Sequence, residues 1–569
     1  MSAPATTITT ARIRPELFPE QIVNVSSRAL VVAALAALVL SGFALRAYRL
    51  DAEGLSEDEL NKVRAVDEYR TRGLTPANGE HPFLMKALLT ASAVAADRWN
   101  ATDYVSADRA ARAIPQETWA RLPGAILGAL TSVLIFLVAL ELFGAEVAFI
   151  AAALWAFDPQ AVAFNRIAKE DSFLAFFFLL ANVFWLRGQR AAEEGRRAEP
   201  FYWATGVAFG AMMASKYVPH FIGISGSYYY VFQGLRETRW RLGKRRWLIF
   251  FVFMGAAFVV FNPTILLPGT WHEMRTFAGE RRIGHDSYEL MGELYPNQMS
   301  LWLRGVPWYF YYVFMAVKLP LTVAATAVVG FVLLFRRRLG DGRYFVLFWL
   351  FLWFFPFSVL GGKFTRYFTF ALPAVLITAA VGTHFVAQAF ARAVTRLREG
   401  PNVVTARALA ASLLVCLSAY ATVTAAPHYR LYTNALGAAL RPAGDFFPHD
   451  EFYDSGVRDA AREAARLARP GARVASETPE LFQHYARLAG RDDLTSVSLS
   501  DPAALAATRE GDLVVTAPGR RYFSNSALVA RLRAESQPAA VIRHGAVEAA
   551  RVYVLDAGGA GALSAASGR

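Results

Sequence analysis

A single cysteine, Cys416, leaves no partner for an internal disulfide and no thiolate set for a metal, so thiol redox chemistry and cysteine-held zinc are excluded. Charge is scarce too: 18% of the 569 residues are Asp, Glu, Lys or Arg, whereas soluble domains carry roughly 25%. With 55% hydrophobic residues and a positive mean hydropathy, that shortage excludes an ordinary soluble enzyme and points to a polytopic membrane protein. There is no glycine-rich phosphate loop and no internal repeat, and the one biased tract is an Ala/Gly/Ser-rich last dozen residues that reads as disordered. The first apolar run lacks a small-residue cleavage site and is expected to stay as a span. A net charge of +13 would suit nucleic acid. Here, however, the basic residues gather in short loops between apolar runs, where membrane topology accounts for them, and no nucleic-acid partner is expected.

Crossing a bilayer takes roughly 20 apolar residues. About eleven runs approach that length, near 29–48, 119–141, 145–160, 171–187, 201–214, 217–235, 247–267, 305–335, 344–360, 367–391 and 406–426. With eleven spans, the basic clusters fall on one side: Arg12, Arg14 and Arg28; Arg187 to Arg197; Arg236 to Arg246; Arg336 to Arg343; and Arg392 to Arg407. The positive-inside rule makes that side cytoplasmic. The expected organisation is then a cytoplasmic segment 1–28, a membrane domain 29–426 with external loops 49–118 and 268–304, and an extracytoplasmic domain 427–569. In the last, helix-like runs (Val457–Ala468, Glu480–Ala489) alternate with β-rich runs (Arg473–Ser476, Leu494–Leu499, Asp512–Thr516, Ala539–Arg543, Ala550–Leu555), which predicts a small α/β domain. Having neither a phosphate loop nor a metal cluster, it reads as a structural or acceptor-handling appendage.

The external loops carry the chemistry. Ser56 to Lys86 follows the first span, and Ser56 with Glu59 three residues on forms a capping box for one helix. That accounts for Glu59 but not for Asp58. A second helix is expected after His81-Pro82, with Phe83, Leu84, Ala87, Leu88 and Ala91 as its apolar stripe, and both helices read as lying on a membrane surface. Carboxylates (Asp58, Glu59, Glu80, Glu170, Asp171) and cations (Arg166, Lys169, Lys216, Arg281, Arg282, Lys363, Arg366) share the external side. A carboxylate can take a proton from a hydroxyl, and Lys or Arg can neutralise a phosphate, so together they suit transfer from a phosphate-linked donor. The plain alternative for each cation is an interfacial side chain reaching for water or an ion pair. Lys363 and Arg366 are less easily explained that way, because they stand against the topological bias. His285 could orient a phosphate or join Glu80 or His81 on a divalent metal, though no fixed ligand spacing requires one.

The acidic pair Asp58–Glu59 after the first span, GEHPFLMK, RLPGAILGALTSVLIFLVALELFG, FNRIAKEDSFLAFF and KFTRYFTFALPA resemble the dolichyl-phosphate-mannose protein mannosyltransferases, glycosyltransferase family 39, over roughly Leu50 to Leu376. The related lipid A aminoarabinose transferases look similar. The resemblance implies a GT-C architecture, a polyprenyl-phosphate sugar donor, catalysis at Asp58 with Glu59 as its acidic neighbour, and Asp171 as the second acidic site. Phe83 stands where the family usually has a second proline, and Lys169-Glu170 makes the second site more charged than usual. The implied reaction moves a sugar, mannose first, to a hydroxyl, with protein Ser or Thr the leading acceptor and a lipid or envelope glycan the alternative.

A phosphate leaving group needs positive charge and not a proton, whereas the acceptor hydroxyl must lose one. One carboxylate on the face opposite the phosphate suffices for single displacement with inversion. Asp58 is the expected base, and Lys363, Arg366, Arg281, Arg282 and His81 are the candidates for the donor phosphate. No cofactor is required beyond the divalent ion that Glu80, His81 and His285 leave open; the expected partners are the donor, the acceptor and membrane lipids. A transporter is the competing class, but transporters put ionisable groups in mid-membrane, and these spans are nearly free of charge. A non-catalytic scaffold would carry the loop charges merely solvated.

Overall fold

In lipid every backbone polar group must be satisfied internally, which helices achieve alone. The structure, a computed structural model, is accordingly a helical bundle carrying a small sheet domain at its C-terminal end. It describes residues 25–233, 242–279, 285–397 and 402–559. The N-terminal segment before Val25, the basic residues Arg12, Arg14, Arg236, Arg239, Arg241, Arg281, Arg282 and Arg398, and the end beyond residue 559 lie outside the described residues.

The helices that build the bundle and the cap at one end of it are, in chain order, α1 (Val25–Ala47), α2 (Glu57–Arg72), α3 (Phe83–Asn100), α4 (Gln116–Phe143), α5 (Ala145–Ala156), α6 (Pro159–Asn165), α7 (Glu170–Glu193), α8 (Glu199–Met213), α9 (Ile222–Gln233), α10 (Lys244–Phe261), α11 (Pro268–Gly279), α12 (Phe310–Lys318), α13 (Leu321–Leu333), α14 (Gly342–Val359), α15 (Leu372–Leu397) and α16 (Val403–Ala425). Among the described residues, six stretches are long and apolar enough to cross a bilayer, falling on α1, α4 with the turn before it, α7, α14, α15 and α16, and α5 with α6 makes a seventh if their 59° bend is one span. The other expected spans run between the same two ends of the bundle but are short (α8, α9), carry three basic residues in their first turn (α10), or break at Leu319-Pro320 (α12 and α13). Reading the sequence as uninterrupted runs merges apolar residues across those breaks.

Burial sorts the helices. The apolar windows of α7 and α15 are each 72% buried, so these form the interior, while α1 at 6% and α16 at 17% are its outer wall. Against α15, α13 packs at backbone distance: a Cβ on Gly330 or Gly382 would fall within 2 Å of a carbonyl on the facing helix, so no larger residue fits there. One end of the bundle is laced by basic pairs, Arg190–Glu141 at 3.5 Å, Arg246–Glu199 at 2.6 Å and Arg407–Glu146 at 2.9 Å. The opposite end carries α2, α3, α11 and the sheet domain.

The capping box forms as the sequence requires. Ser56 accepts from the amide of Glu59, and Glu59 reaches back to the amide of Ser56. Glu59 does more than cap. Its carboxylate, fully buried, takes a two-pronged ion pair from Arg121 of α4 (2.9 and 2.8 Å) and the amide of Ala168 (2.9 Å), while Arg121 also donates to the carbonyls of Leu50, Glu53 and Gly54. Helix α3 starts where expected, at Phe83 behind Pro82, but its stripe is displaced. Met85, Leu89, Ala93 and Ala96 are buried, while Phe83, Leu84, Ala87 and Leu88 are half-exposed and Ala91 is exposed. Lys86 explains the shift: its ammonium is buried because the carbonyls of Ala77 (3.1 Å), Asn78 (2.7 Å) and His81 (3.0 Å) surround it, which turns the neighbouring apolar residues inward.

After α11 comes a hairpin, β1 (Ser287–Leu290) with β2 (Glu293–Pro296), which docks on the C-terminal segment through the amide of Met291 on the carbonyl of Phe446. The domain beyond holds α17 (Val457–Leu467), β3 (Arg473–Ala475), α18 (Pro479–Leu488), β4 (Thr495–Val497), β5 (Leu513–Thr516), α19 (Ser526–Glu535), β6 (Ala540–His544) and β7 (Val547–Val554). Its sheet has the order β4-β3-β5-β7-β6, with β4, β3 and β5 parallel and the rest antiparallel. Every helix and strand expected there is present, with ends shifted by a few residues at most.

Because Arg121 and Glu59 are both buried, removing one strands the other. Arg121→Met is expected to cost about 3–5 kcal/mol, a buried charge left without its partner, and Glu59→Gln should exceed the ~1 kcal/mol of a lost cap. Unfolding of the detergent-solubilised variants checks both; a loss near 1 kcal/mol in each would reduce Glu59 to a cap.

Candidate active site

Helix α2 presents Asp58 and Glu59 on different faces. Glu59 turns into the bundle, while Asp58 opens onto a cavity of about 400 Å3 at the end that carries α2, α3 and the sheet domain. Its walls come from five parts of the chain: Glu57 and Asp58; Glu80 and His81; Lys169, Asp171 and Lys216; Phe364, Arg366 and Tyr367; and His449, Tyr453, Asp454 and Arg520 from the C-terminal segment, with His285, Met274 and Phe277 alongside. The turn at Lys169 delivers a cation because α7 begins at Glu170, and the Thr365–Phe370 turn delivers Arg366 before α15.

Asp58 is held by three groups. Lys169 Nζ lies 3.1 Å and Arg366 Nη2 3.6 Å from its Oδ2, and the Tyr453 hydroxyl donates to the same oxygen at 2.7 Å. Burial pushes the Asp58 carboxyl up, but these two cations and the hydroxyl outweigh it and hold the group well below the usual carboxylate range. Behind Lys169 stands Glu170, 2.8 Å from Lys62 and 3.5 Å from His81. Lys216 pairs with Asp171 at 2.5 Å and sits over the Tyr367 ring. Arg366 lies over Phe364 and faces Asp450 at 3.7 Å, yet its buried Nη1 makes no hydrogen bond. A donor left unfilled beside two lysines is what an anion would complete.

At the other side of Asp58, Arg520 grips both carboxylate oxygens of Asp454 through its Nε and Nη2, and its Nη1 meets Glu57 at 3.2 Å and contacts His285. Burial drives the His81 imidazole well below its ordinary value, takes His285 down to about 4 and His449 to about 3, the last two with help from Arg520. All three are therefore neutral at neutral pH. Glu57 is different: burial raises its carboxyl, Arg520 opposes, and the result is about 7.

The sequence-derived residues thus divide. Asp58, Asp171, Arg366, Glu80, His81 and His285 meet at the cavity. Glu59 lies behind it in the pair with Arg121. Lys363 is turned away: its ammonium caps the carbonyls of Val306 (2.8 Å) and Leu360, so it fixes the loop that carries Arg366. Arg281 and Arg282 lie outside the described residues. The three metal candidates do not face one another: His81 turns to Glu170, His285 to Arg520 and Glu80 to Asn78. No group of three or more His, Cys, Asp or Glu side chains that could hold a metal gathers among the described residues. Sequence reasoning missed Tyr453, Asp454, His449 and Arg520, whose one outward signal was a cation and a carboxylate in a C-terminal domain with no assigned work.

Residues 114–267 match the family model for dolichyl-phosphate-mannose-protein mannosyltransferase, a stretch that includes Lys169, Asp171 and Lys216. The apo oligosaccharyltransferase of Archaeoglobus fulgidus aligns over 85% of this chain and 69% of its own at 12% identity, with a TM-score of 0.51. ArnT from Cupriavidus metallidurans bound to undecaprenyl phosphate aligns over 92% and 98% at 16% identity with a TM-score of 0.48. The Saccharomyces cerevisiae Pmt1–Pmt2 complex bound to its sugar donor aligns over 44% and 35% at 18% identity with a TM-score of 0.33. Comparison with curated proteins gives no match. The fold is of GT-C type. Within that fold, residues 114–267 resemble the dolichyl-phosphate-mannose-protein mannosyltransferase family.

Glu57 gives the site a pH signature. Its carboxyl keeps its proton to about pH 7 in the folded chain but releases it near the ordinary 4.5 when unfolded. That contribution favours folding below about pH 4.5 and is lost as pH rises through about 7. The melting temperature of wild type relative to Glu57→Gln should therefore fall across this window and run parallel outside it; a difference independent of pH would show that Glu57 titrates normally.

Proposed function

We propose that this protein transfers a sugar, mannose by preference, from a polyprenyl-phosphate donor to a hydroxyl acceptor, a protein Ser or Thr, with inversion, at the extracytoplasmic face of the plasma membrane. One observation carries the reading: Asp58, Lys169, Lys216 and Arg366 line one cavity at one end of a membrane bundle. The matched family is described by a dolichyl-phosphate-mannose donor and a protein acceptor, which supports the choice of sugar and acceptor here.

The sugar-phosphate bond breaks as the acceptor oxygen bonds to the anomeric carbon. Its electron pair stays on the phosphate, whose charge Arg366, Lys169 and Lys216 neutralise, and the hydroxyl proton goes to Asp58. Without donor, Lys169 and Arg366 hold Asp58 as a poor base. A bound phosphate competes for both cations and adds its own negative charge, and each change raises the Asp58 carboxyl towards a useful range. Donor binding thereby readies the base, so the acceptor reacts only once the donor is in its seat.

Asp58→Asn keeps size and most hydrogen bonding but cannot take the proton. Turnover with a polyprenyl-phosphate sugar should fall by roughly 10²–10⁴, the worth of a positioned base, with donor affinity nearly unchanged. Arg366→Met should instead weaken donor binding by about 1.5–3 kcal/mol, a charge-assisted contact, whereas Lys363→Met lowers stability without touching donor affinity. Near-wild-type turnover in Asp58→Asn would move the search to Asp171.

The orientation rests on the basic lacing of the opposite end, which the positive-inside rule makes cytoplasmic. A reporter active only outside the cytoplasm, fused after Arg569, should give signal; activity of a cytoplasm-only reporter there would invert the topology.

A further inference from the structure

The C-terminal α/β segment does more than cover the cavity. Phe452 ends a short helix, Pro448–Phe452, and the next two residues, Tyr453 (φ 45°) and Asp454 (φ 62°), are both left-handed although neither is glycine. Side chains other than glycine adopt that conformation at a cost, and two in succession persist only where surrounding contacts fix them. Both are buried, and both engage the start of α2 in register. The Tyr453 hydroxyl donates to Asp58 Oδ2 at 2.7 Å, and Asp454 Oδ2 accepts from the amide of Glu57 at 3.1 Å. Consecutive residues of the strained turn thus hold consecutive residues of the catalytic helix.

The turn is itself held from the sheet. Arg520, on the loop after β5, binds both carboxylate oxygens of Asp454 and donates to the Tyr522 hydroxyl at 3.0 Å. That loop lies at the carboxyl end of a parallel strand, next to the point where the chain passes from the β3–β4 side of the sheet to β5, the edge at which open α/β sheets present their functional groups. Arg520 also lines the catalytic cavity and a small crevice beside β3 and β5, so one guanidinium connects the sheet to the site.

We propose that Tyr453 is a positioning residue for Asp58, and that the α/β domain, through the Tyr453–Asp454 turn and Arg520, is an integral part of the transferase site. The inference rests on Asp58 being the base. Asp58 has freedom about its side-chain bonds, and the two cations that pair with it are the ones the donor phosphate takes over. Tyr453 is neutral and has no such competitor, so its hydrogen bond keeps the carboxylate aimed at the acceptor when Lys169 and Arg366 turn to the phosphate. No covalent step is added: Tyr453 keeps its proton throughout, and burial together with Asp58 holds the phenol well above its ordinary range.

The test is Tyr453→Phe in the full-length purified protein, assayed with a polyprenyl-phosphate sugar and a hydroxyl acceptor, beside Asp58→Asn and the double variant. The ring is kept, so its contacts with Arg366 and Arg430 survive and the protein should still fold, its melting temperature lowered only by the one lost hydrogen bond. The expected kcat loss is roughly tenfold to a hundredfold, the worth of a hydrogen bond to a charged group, with donor KM unchanged. The acid limb of kcat should move to higher pH, since the carboxylate has lost one of the groups that favour its charged form. The double variant should be no slower than Asp58→Asn alone. Wild-type kcat and pH profile in Tyr453→Phe, with Asp58→Asn inactive, would overturn the positioning role and leave the base in place; losses that multiply in the double variant would overturn it too, by showing that Tyr453 acts apart from Asp58. An active Asp58→Asn would instead remove the reading on which the inference rests.

Discussion

A carboxylate and a guanidinium taken out of water must find each other or be excluded, and the buried Glu59–Arg121 pair is where this chain meets that constraint. Arg121 spends its five donors on Glu59 and on the carbonyls of Leu50, Glu53 and Gly54; Glu59 adds the amides of Ser56 and Ala168. Three segments far apart in sequence are thereby fixed at one point: the connection from α1 to α2, helix α4, and the turn before α7. The geometry of the cavity is a consequence. Neighbouring residues on a helix lie about 100° apart, so once Glu59 is locked inward Asp58 has to face the cavity, and Ala168 on Glu59 brings Lys169 to Asp58.

The cavity follows a second rule, that buried charge is balanced locally. Lys169 has Asp58 and Glu170, Lys216 has Asp171, Arg520 has Asp454 and Glu57, and Arg366 lies between Asp58 and Asp450. Arg366 is the looser of these partners, at 3.6 and 3.7 Å with a bare Nη1, whereas Arg520 is held by short bonds. A phosphate entering the site therefore finds its best opening at Arg366 and Lys169 and its worst at Arg520. The same charges balance one another within the site and make the entry of a phosphate an exchange of one anion for another, which costs far less than exposing an unpaired cation.

Much of this was legible from the residues. The capping box, the start of α3 and the alternation of helix and strand in the tail depend on local spacing, and local spacing is what a sequence displays. Asp58 emerged by elimination, being the acid that the cap did not use. The errors share a cause, which is side-chain direction set by distant contacts. Lys363 and Arg366 are three residues apart with like chemistry, and only the carbonyls of Val306 and Leu360 decide that one turns inward and the other faces the cavity. The stripe of α3 is displaced because Lys86 finds three carbonyls, contacts that local spacing does not display. Tyr453 lies 395 residues from the acid it touches, and neither tyrosine nor a Tyr-Asp step announces that role.

The strained turn bears on how the two halves of the molecule depend on each other. Two non-glycine residues in the left-handed region cost on the order of 1–3 kcal/mol each, a substantial share of the 5–15 kcal/mol that keeps a domain folded. Within the α/β domain, Arg520 on Asp454 offsets part of that. The remainder comes from across the boundary, from the amide of Glu57 and the carboxylate of Asp58, groups at the positive end of α2 where acceptors are welcome and charge is steadied. Neither half therefore completes its own hydrogen bonding at this point: undocked, the turn loses its partners and α2 leaves an N-terminal amide and a buried-site carboxylate to solvent. Docking is favoured by the same contacts that hold Asp58, so the α/β domain cannot lift away without releasing that carboxylate.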